Sequence, residues 1–172
     1  MVGQSAGKDT TMVIETDRAW LAGIWDGEGS IALFTNQEKD GCTKIKPVVN
    51  MVNTDMGIID KVLSILEEAE CNVYIVRRIH KNPNHKDVIE IKTNSVNEIE
   101  KLLLLIEPYL FGIKKNKANI LLRYVRRRKE RRNEKGRNDL ATYTEDDWND
   151  VAEFRSSQTT RKELVQDCTV MI

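Results

Sequence analysis

Two carboxylates, Asp26 and Glu28, alternate with glycines at the end of the run Leu21-Ala22-Gly23-Ile24-Trp25-Asp26-Gly27-Glu28-Gly29. The residues leading up to them, Asp17 to Asp26, suit a short helix, with Thr16 or Asp17 as N-cap and Gly27 as its end. A helix C-terminus presents unpaired carbonyls and partial negative charge. Carboxylates placed there repel anions and offer oxygen ligands to a hard divalent cation such as Mg²⁺. Gly23 and Gly27 are spaced one helical turn apart, and Ala19 and Ala22 add small side chains to the same helix. Small residues at i and i+4 share a face and let a second helix backbone approach closely. Two copies packed in this way would bring two acidic helix ends together, and their repulsion would favour bound cations. The blander alternative is a glycine turn with two solvated carboxylates beside it. His80 and His85 lie across a loop without a matching ligand set. Cys42, Cys71 and Cys168 are scattered, without metal or disulfide spacing, and read as reduced thiols of an intracellular protein.

The elements that must position these groups can be read from periodicity. Ser30 to Gln37 and Lys44 to Asn53 alternate as strands around a turn at Glu38 to Gly41. Met56 to Ala69 repeats apolar residues at helical spacing, through Ile59, Val62, Leu63 and Leu66. A second hairpin is expected from Asn72–His80 and Asp87–Thr93, then helices at Val96–Ile106 and Lys115–Arg132. The fold class is therefore α+β, with the order helix, strand, strand, helix, strand, strand, helix, helix. Residues 1–14 are expected to be a flexible segment, 15–140 the core domain and 141–172 a C-terminal helical extension.

Strand alternation also predicts an outward face. On the second strand Ile45, Val49 and Met51 should pack on the helices, leaving Lys44, Lys46, Val48 and Asn50 on the other side. The matching sets are Ser30, Ala32, Phe34 and Asn36; Tyr74, Val76, Arg78 and His80; and Glu90 with Lys92. Two hairpins of mixed polar and basic character suit a DNA major groove, where all four base pairs are distinguishable. Arg78 is the first choice for reading guanine, and Val48, Phe34 and Tyr74 could meet thymine methyls.

The 172 residues carry 27 basic and 27 acidic side chains, a net charge of zero that taken alone argues against nucleic acid. The distribution removes that objection. Residues 1–73 hold 6 Lys/Arg against 12 Asp/Glu, residues 74–140 hold 18 against 8, and residues 141–172 hold 3 against 7. The basic middle ends in the run Arg126 to Arg132, which is either a set of phosphate contacts or a solvated helix end. About 40% of residues are hydrophobic and 31% charged, which excludes collagen-like and wholly disordered chains. No apolar run is long enough for a transmembrane helix, and the polar N-terminus lacks a signal-peptide core. A protein inside a bacterial or phage-infected cell or an organelle, neither secreted nor membrane-bound, is expected.

The nine-residue run resembles the signature of the LAGLIDADG homing endonucleases. Leu21, Ala22, Gly23, Asp26 and Gly29 match the family name, and Glu28 is its frequent acidic substitute. The resemblance implies an αββαββα core with a saddle-shaped antiparallel sheet and C-terminal helices. It implies a metal-dependent double-strand break in a long, near-palindromic DNA site. Because the motif occurs once, a homodimer is implied. Residue by residue, it makes Glu28 a metal ligand close to the dimer axis, aided by the Gly27 carbonyl, with Mg²⁺ or Mn²⁺ as cofactor. Ca²⁺ is expected to bind without cleavage. Ala19, Ala22, Gly23, Asp26 and Gly27 fall at the dimer interface, Asp26 bracing the helix pair. Val52-Asn53-Thr54-Asp55 resembles a segment whose polar side chain orders water, although Asn53 could equally cap the turn with Asp55. Gly112 to Asn119 is similar to a segment carrying an active-site lysine, here Lys114, with Lys115 and Lys117 beside it on DNA. Ser157 to Lys162 resembles a stretch that touches DNA backbone, through Arg161 and Lys162. The family also contains intron maturases, so a cleavage-inactive nucleic-acid binder on the same scaffold, such as an intron RNA maturase, is the alternative.

Overall fold

The computed structural model describes residues 13–39, 41–79, 87–135 and 143–168, apart from the side chains at 133–135 and 158–168. Its elements run α1 (Glu15–Glu28), β1 (Gly29–Gln37), β2 (Thr43–Asn53), α2 (Met56–Glu68), β3 (Tyr74–Arg78), β4 (Val88–Thr93), α3 (Val96–Ile106), α4 (Gly112–Lys135) and α5 (Glu145–Cys168). The strands form one antiparallel sheet in the order β1-β2-β4-β3. The expected order and class hold. Among the described residues no helix is long and apolar enough to cross a membrane.

One face of the sheet is covered across β1, β2 and β4, while Ile75 of β3, opposite Ile91, stays exposed. Ile31, Leu33, Ile45, Val49, Met51, Ile89 and Ile91 are buried on this face. They meet Leu21, Ala22 and Trp25 of α1, Ile59, Val62 and Leu66 of α2, and Ile99, Leu102, Leu103 and Ile106 of α3. Val151 and Phe154 bring α5 into the same core. Only part of β2 pairs with β4, so the Ile45 N–H donates instead to the Tyr143 hydroxyl, at 3.0 Å. Asp55 caps α2 by accepting from the Gly57 and Ile58 N–H groups. Ile65 joins the buried stripe of α2, while Leu63 is only partly buried.

Several boundaries differ from expectation. Helix α1 starts at Glu15 after Ile14, without a side-chain cap, and runs through Gly27 to Glu28. Glu15 and Asp17 in its first turn complement the helix dipole, so a capping side chain is dispensable. Its C-cap is Gly29, whose N–H donates to the Trp25 carbonyl. A Cβ on Gly29 would lie 2.3 Å from Trp25 Cδ1 and 2.7 Å from the Trp25 carbonyl oxygen. This glycine is required by space, and it couples the helix end to the first strand. Gly29→Ala is expected to destabilise the fold by about 1–3 kcal/mol through overpacking. Thermal unfolding should show a drop of roughly 2–12 °C. Helix α4 begins at Gly112, where φ is +54°, three residues earlier than periodicity indicated. Strand β3 covers only Tyr74–Arg78, and His80 lies outside the described residues, as do residues 1–12.

Candidate functional site

The C-terminus of α1 and the N-terminus of α4 meet at one point. Lys114 Nζ donates to the carbonyls of Trp25 and Asp26, at 2.6 Å each, at the helix end where carbonyls run out of helical donors; the Trp25 oxygen also accepts from the Gly29 N–H. Burial pushes the Lys114 ammonium below the ordinary lysine value, and the carboxylates of Asp26 and Glu28 pull against that shift. Lysines in the first turn of a helix oppose its dipole, and α4 has no acidic residue there to compensate. The α1 terminus provides that compensation with its carbonyls and its two carboxylates. Glu28 is exposed and Asp26 partly buried.

On α1, Ala19, Gly23 and Gly27 are exposed along one stripe, and a Cβ on either glycine would meet no atom within 4 Å. Ala22 departs from the expected interface set. Its side chain is fully buried in the chain's own core, because it sits on the face shared with Leu21 and Trp25.

Asn53 ends β2, two residues beyond Met51, the partner of Gly29. Its Oδ1 accepts from the Thr54 and Asp55 N–H groups at 2.8 and 2.9 Å. The side-chain oxygen therefore shapes the turn into α2, and Nδ2 is what Asn53 can still offer as a donor.

The face of the sheet opposite the helices carries the predicted outward residues in register. Ser30, Ala32, Phe34 and Asn36 stand across from Asn50, Val48, Lys46 and Lys44. Asn50 and Tyr74 both pair with Lys92, and Val76 pairs with Glu90. Directly opposed residues of an antiparallel ladder share a face, so these side chains form one surface. Phe34, Tyr74 and Val52 expose apolar area on it. The alternation that singles out Asn50 also reaches Val52, which the sequence reading passed over. Glu90 departs from expectation, since it is only 6% exposed. It accepts from Asn50 Nδ2 at 3.1 Å and from Arg78 at 2.5 Å. Lys46 pairs with Glu38 at 3.0 Å.

The other basic residues have mostly internal engagements. Lys115 approaches Glu107 and the Pro108 carbonyl. Lys117 lies 5.3 Å from the Phe154 ring centroid, and burial, with the Lys114 charge, lowers its pKa. In the basic run, Arg126 and Lys129 bind Glu100, while Arg127 and Arg131 bind Asp147. These four residues tie α4 to α3 and α5; Arg126 and Lys129 stay about half exposed while paired, whereas Arg127 and Arg131 are largely covered. Arg155 of α5 donates to Thr35 on β1, a contact with no local sequence signal because 120 residues separate the pair. Arg161 and Lys162 fall on α5 among the side chains not described. No cluster of three metal-ligating side chains occurs among the described residues.

The profile of the LAGLIDADG-like domain matches residues 15–146. Among solved structures, homing endonuclease I-CvuI in complex with the I-CreI target in the presence of Mg is 18% identical, with a TM-score of 0.50, over 65% of this chain and 67% of that one. The group I intron-encoded homing endonuclease I-CeuI, complexed with DNA, is 19% identical with a TM-score of 0.50, over 72% and 60%. I-SmaMI bound to uncleaved DNA target in the presence of calcium ions is 15% identical with a TM-score of 0.56, and this chain spans 44% of its length while 81% of this chain is covered. At these identities the likeness establishes the fold. None of the curated proteins matches the chain.

Proposed function

The chain belongs to the LAGLIDADG-like domain family, and from that premise we propose that it is a site-specific DNA endonuclease acting as a homodimer on a long, near-palindromic duplex. The observation that carries this reading is the end of α1. An uncovered stripe of Ala19, Gly23 and Gly27 leads to the exposed Glu28, with Lys114 docked on the adjacent carbonyls. The stripe has room for the backbone of a second α1. Two copies docked there would bring two Glu28 carboxylates and two pairs of basic and polar hairpins to one axis. Double-strand cleavage of a near-palindrome needs that symmetry.

A divalent cation fits this chemistry. Glu28 and the Gly27 carbonyl are hard oxygen donors beside a helix C-terminus, and one chain lacks a third acidic partner among its described residues. A second copy would complete the set, with Mg²⁺ or Mn²⁺ as the competent ions and Ca²⁺ supporting binding alone. When bound, the metal supplies charge stabilisation for phosphodiester hydrolysis and lowers the pKa of a water. Lys114 places a cation at the same point for the developing charge, and Asn53 can hold a water through Nδ2. Ser30, Ala32, Phe34, Asn36, Lys44, Lys46, Val48, Asn50, Tyr74, Val76, Arg78 and Lys92 would face the major groove, with Glu90 beneath them.

The direct test incubates the protein with Mg²⁺ and a plasmid library of randomised duplex sites. Recovery of discrete double-strand ends at one recurring sequence is expected. No cut, together with tight binding of structured RNA, would overturn the reading in favour of a splicing cofactor. The dimer has its own test at Gly23. Alanine there meets no atom and improves helix propensity by up to about 1 kcal/mol, so Gly23→Ala should not lower the melting temperature. Gly23→Leu should fold equally well and yet sediment as a monomer, because its side chain blocks close helix approach. A Gly23→Leu protein that remains dimeric would place the interface elsewhere.

A further inference from the structure

Glu90 is an unusual residue to find at the centre of an uncovered sheet face. It lies between Val52 and Val76 in register, positions where a third valine would pack without difficulty. Instead a carboxylate is 94% removed from solvent, an arrangement that is costly unless the charge is fully partnered. Its partners are the two side chains that flank it diagonally, Asn50 from β2 and Arg78 from β3. Burial alone would push its pKa up, yet the hydrogen bonds from Arg78 and Asn50 hold it below the ordinary glutamate value.

The consequences for those partners are specific. Asn50 spends one Nδ2 proton on Glu90, which fixes the orientation of its amide and leaves Oδ1 and the second Nδ2 proton as an acceptor–donor pair. Arg78 keeps a side chain that is 66% exposed, but one terminal nitrogen is pinned, which restricts the swing of the guanidinium fork. An acceptor–donor pair matches the N6/N7 edge of adenine, and an oriented guanidinium matches O6/N7 of guanine.

We propose that Glu90 is a positioning residue for sequence recognition, holding Asn50 to read adenine and Arg78 to read guanine at two base pairs of the site. The proposal rests on the reading of this face as a DNA-binding surface. It has a signature that a general contact lacks. A carboxylate below the groove repels phosphate and offsets the charge of Arg78, so Glu90 weakens indiscriminate binding while sharpening choice.

The test uses full-length wild type, Glu90→Gln, Arg78→Ala and the double variant. Each is assayed by competition between a duplex enriched from a randomised pool and duplexes altered at single base pairs. A well-formed bidentate contact discriminates by roughly 1–3 kcal/mol, or about 5- to 150-fold. Glu90→Gln is expected to lose at least about fivefold of that preference at two base pairs only, with affinity for random duplex unchanged or tighter. At the guanine position the double variant should be no less selective than Arg78→Ala alone. An unchanged preference profile in Glu90→Gln overturns the proposal, as does an equal loss at every position, which is what loosening of the fold would give. Should Glu90→Gln fail to fold, Arg78→Ala still decides: an unaltered profile overturns the proposal, and a change at one guanine supports it. Wild type that fails to bind any duplex overturns the DNA-binding reading itself, a result distinct from an altered profile.

Discussion

Glu28→Gln should abolish cleavage while leaving duplex binding intact. The side chain is exposed at the end of α1, and its removal disturbs no packing, so the variant should melt within a degree or two of wild type. Its effect falls on the reacting phosphate. The amide keeps the shape of the carboxylate but loses the charge needed to hold a divalent cation. Loss of one electrostatic stabiliser at a reacting centre costs about 100- to 1,000-fold in rate, and a lost metal ligand in each subunit should exceed that range. Binding should hold or tighten slightly, because a negative charge close to phosphate has been removed. The measurement is single-turnover cleavage in Mg²⁺ beside equilibrium binding in Ca²⁺ on the same duplex. Cutting at the wild-type rate would remove Glu28 from the metal site. A parallel loss of both binding and cutting would make it a structural or dimer residue. Lys114→Met supplies the contrast, since it removes a cation from the site and also the bonds to the Trp25 and Asp26 carbonyls, and should lower both rate and melting temperature.

What could be read in advance follows from how far apart the interacting residues are in sequence. Strand faces need only a period of two, so the outward set from Ser30 to Lys92 falls on one surface in register, with Glu90 buried within it and His80 outside the described residues. The cluster of Glu28 with Lys114 came from resemblance, since nothing local links a helix end to a lysine 86 residues later. Ala22 was assigned to the uncovered stripe because spacing alone could not say which small residues the core would claim. Glu90 was read as exposed for the related reason that alternation gives a face without giving neighbours, and its two partners close over it only in three dimensions. The arginine run was legible only as charge, open between phosphate contact and a solvated helix end, because the acids that pair with much of it lie on two other helices.

Those acids support the second large effect, at Asp147. The residue is fully buried between α4 and α5, accepting from Arg127 and Arg131 and from the backbone N–H of Thr144. Thr144 reciprocates by accepting from the Asp147 N–H, so the same residue starts α5 and clamps it to α4. Next to it Asp150 binds Arg123 and Arg127, and Arg128 stacks over the Tyr143 ring. Asp147→Ala removes the buried carboxylate shared by Arg127 and Arg131, with Arg127 keeping its bond to Asp150, and breaking a buried pair costs about 3–5 kcal/mol. Thermal melting should fall by roughly 6–20 °C, with α5 becoming the first site of protease cleavage. The pH dependence follows from the direction of the shift. Burial alone would raise the Asp147 pKa, but Thr144, Arg131 and Arg127 together hold it below the ordinary aspartate value. A carboxylate so depressed adds stability above its unfolded pKa of about 4, and loses it progressively as pH falls through its folded value. Wild type should therefore lose melting temperature steeply below about pH 4, while Asp147→Ala, already without this contribution, should show a shallower slope there. Equal slopes in the two proteins would mean that the acid sensitivity lies in other pairs, Glu100 with Lys129 and Arg126 being the next in line. Because the clamp is distant from Glu28 in the chain and α5 reaches the sheet through Arg155 and Thr35, the same variant should bind DNA more weakly at 37 °C than at 15 °C. A binding defect that persists in the cold, with α5 still protected from protease, would instead assign Asp147 a direct part in recognition.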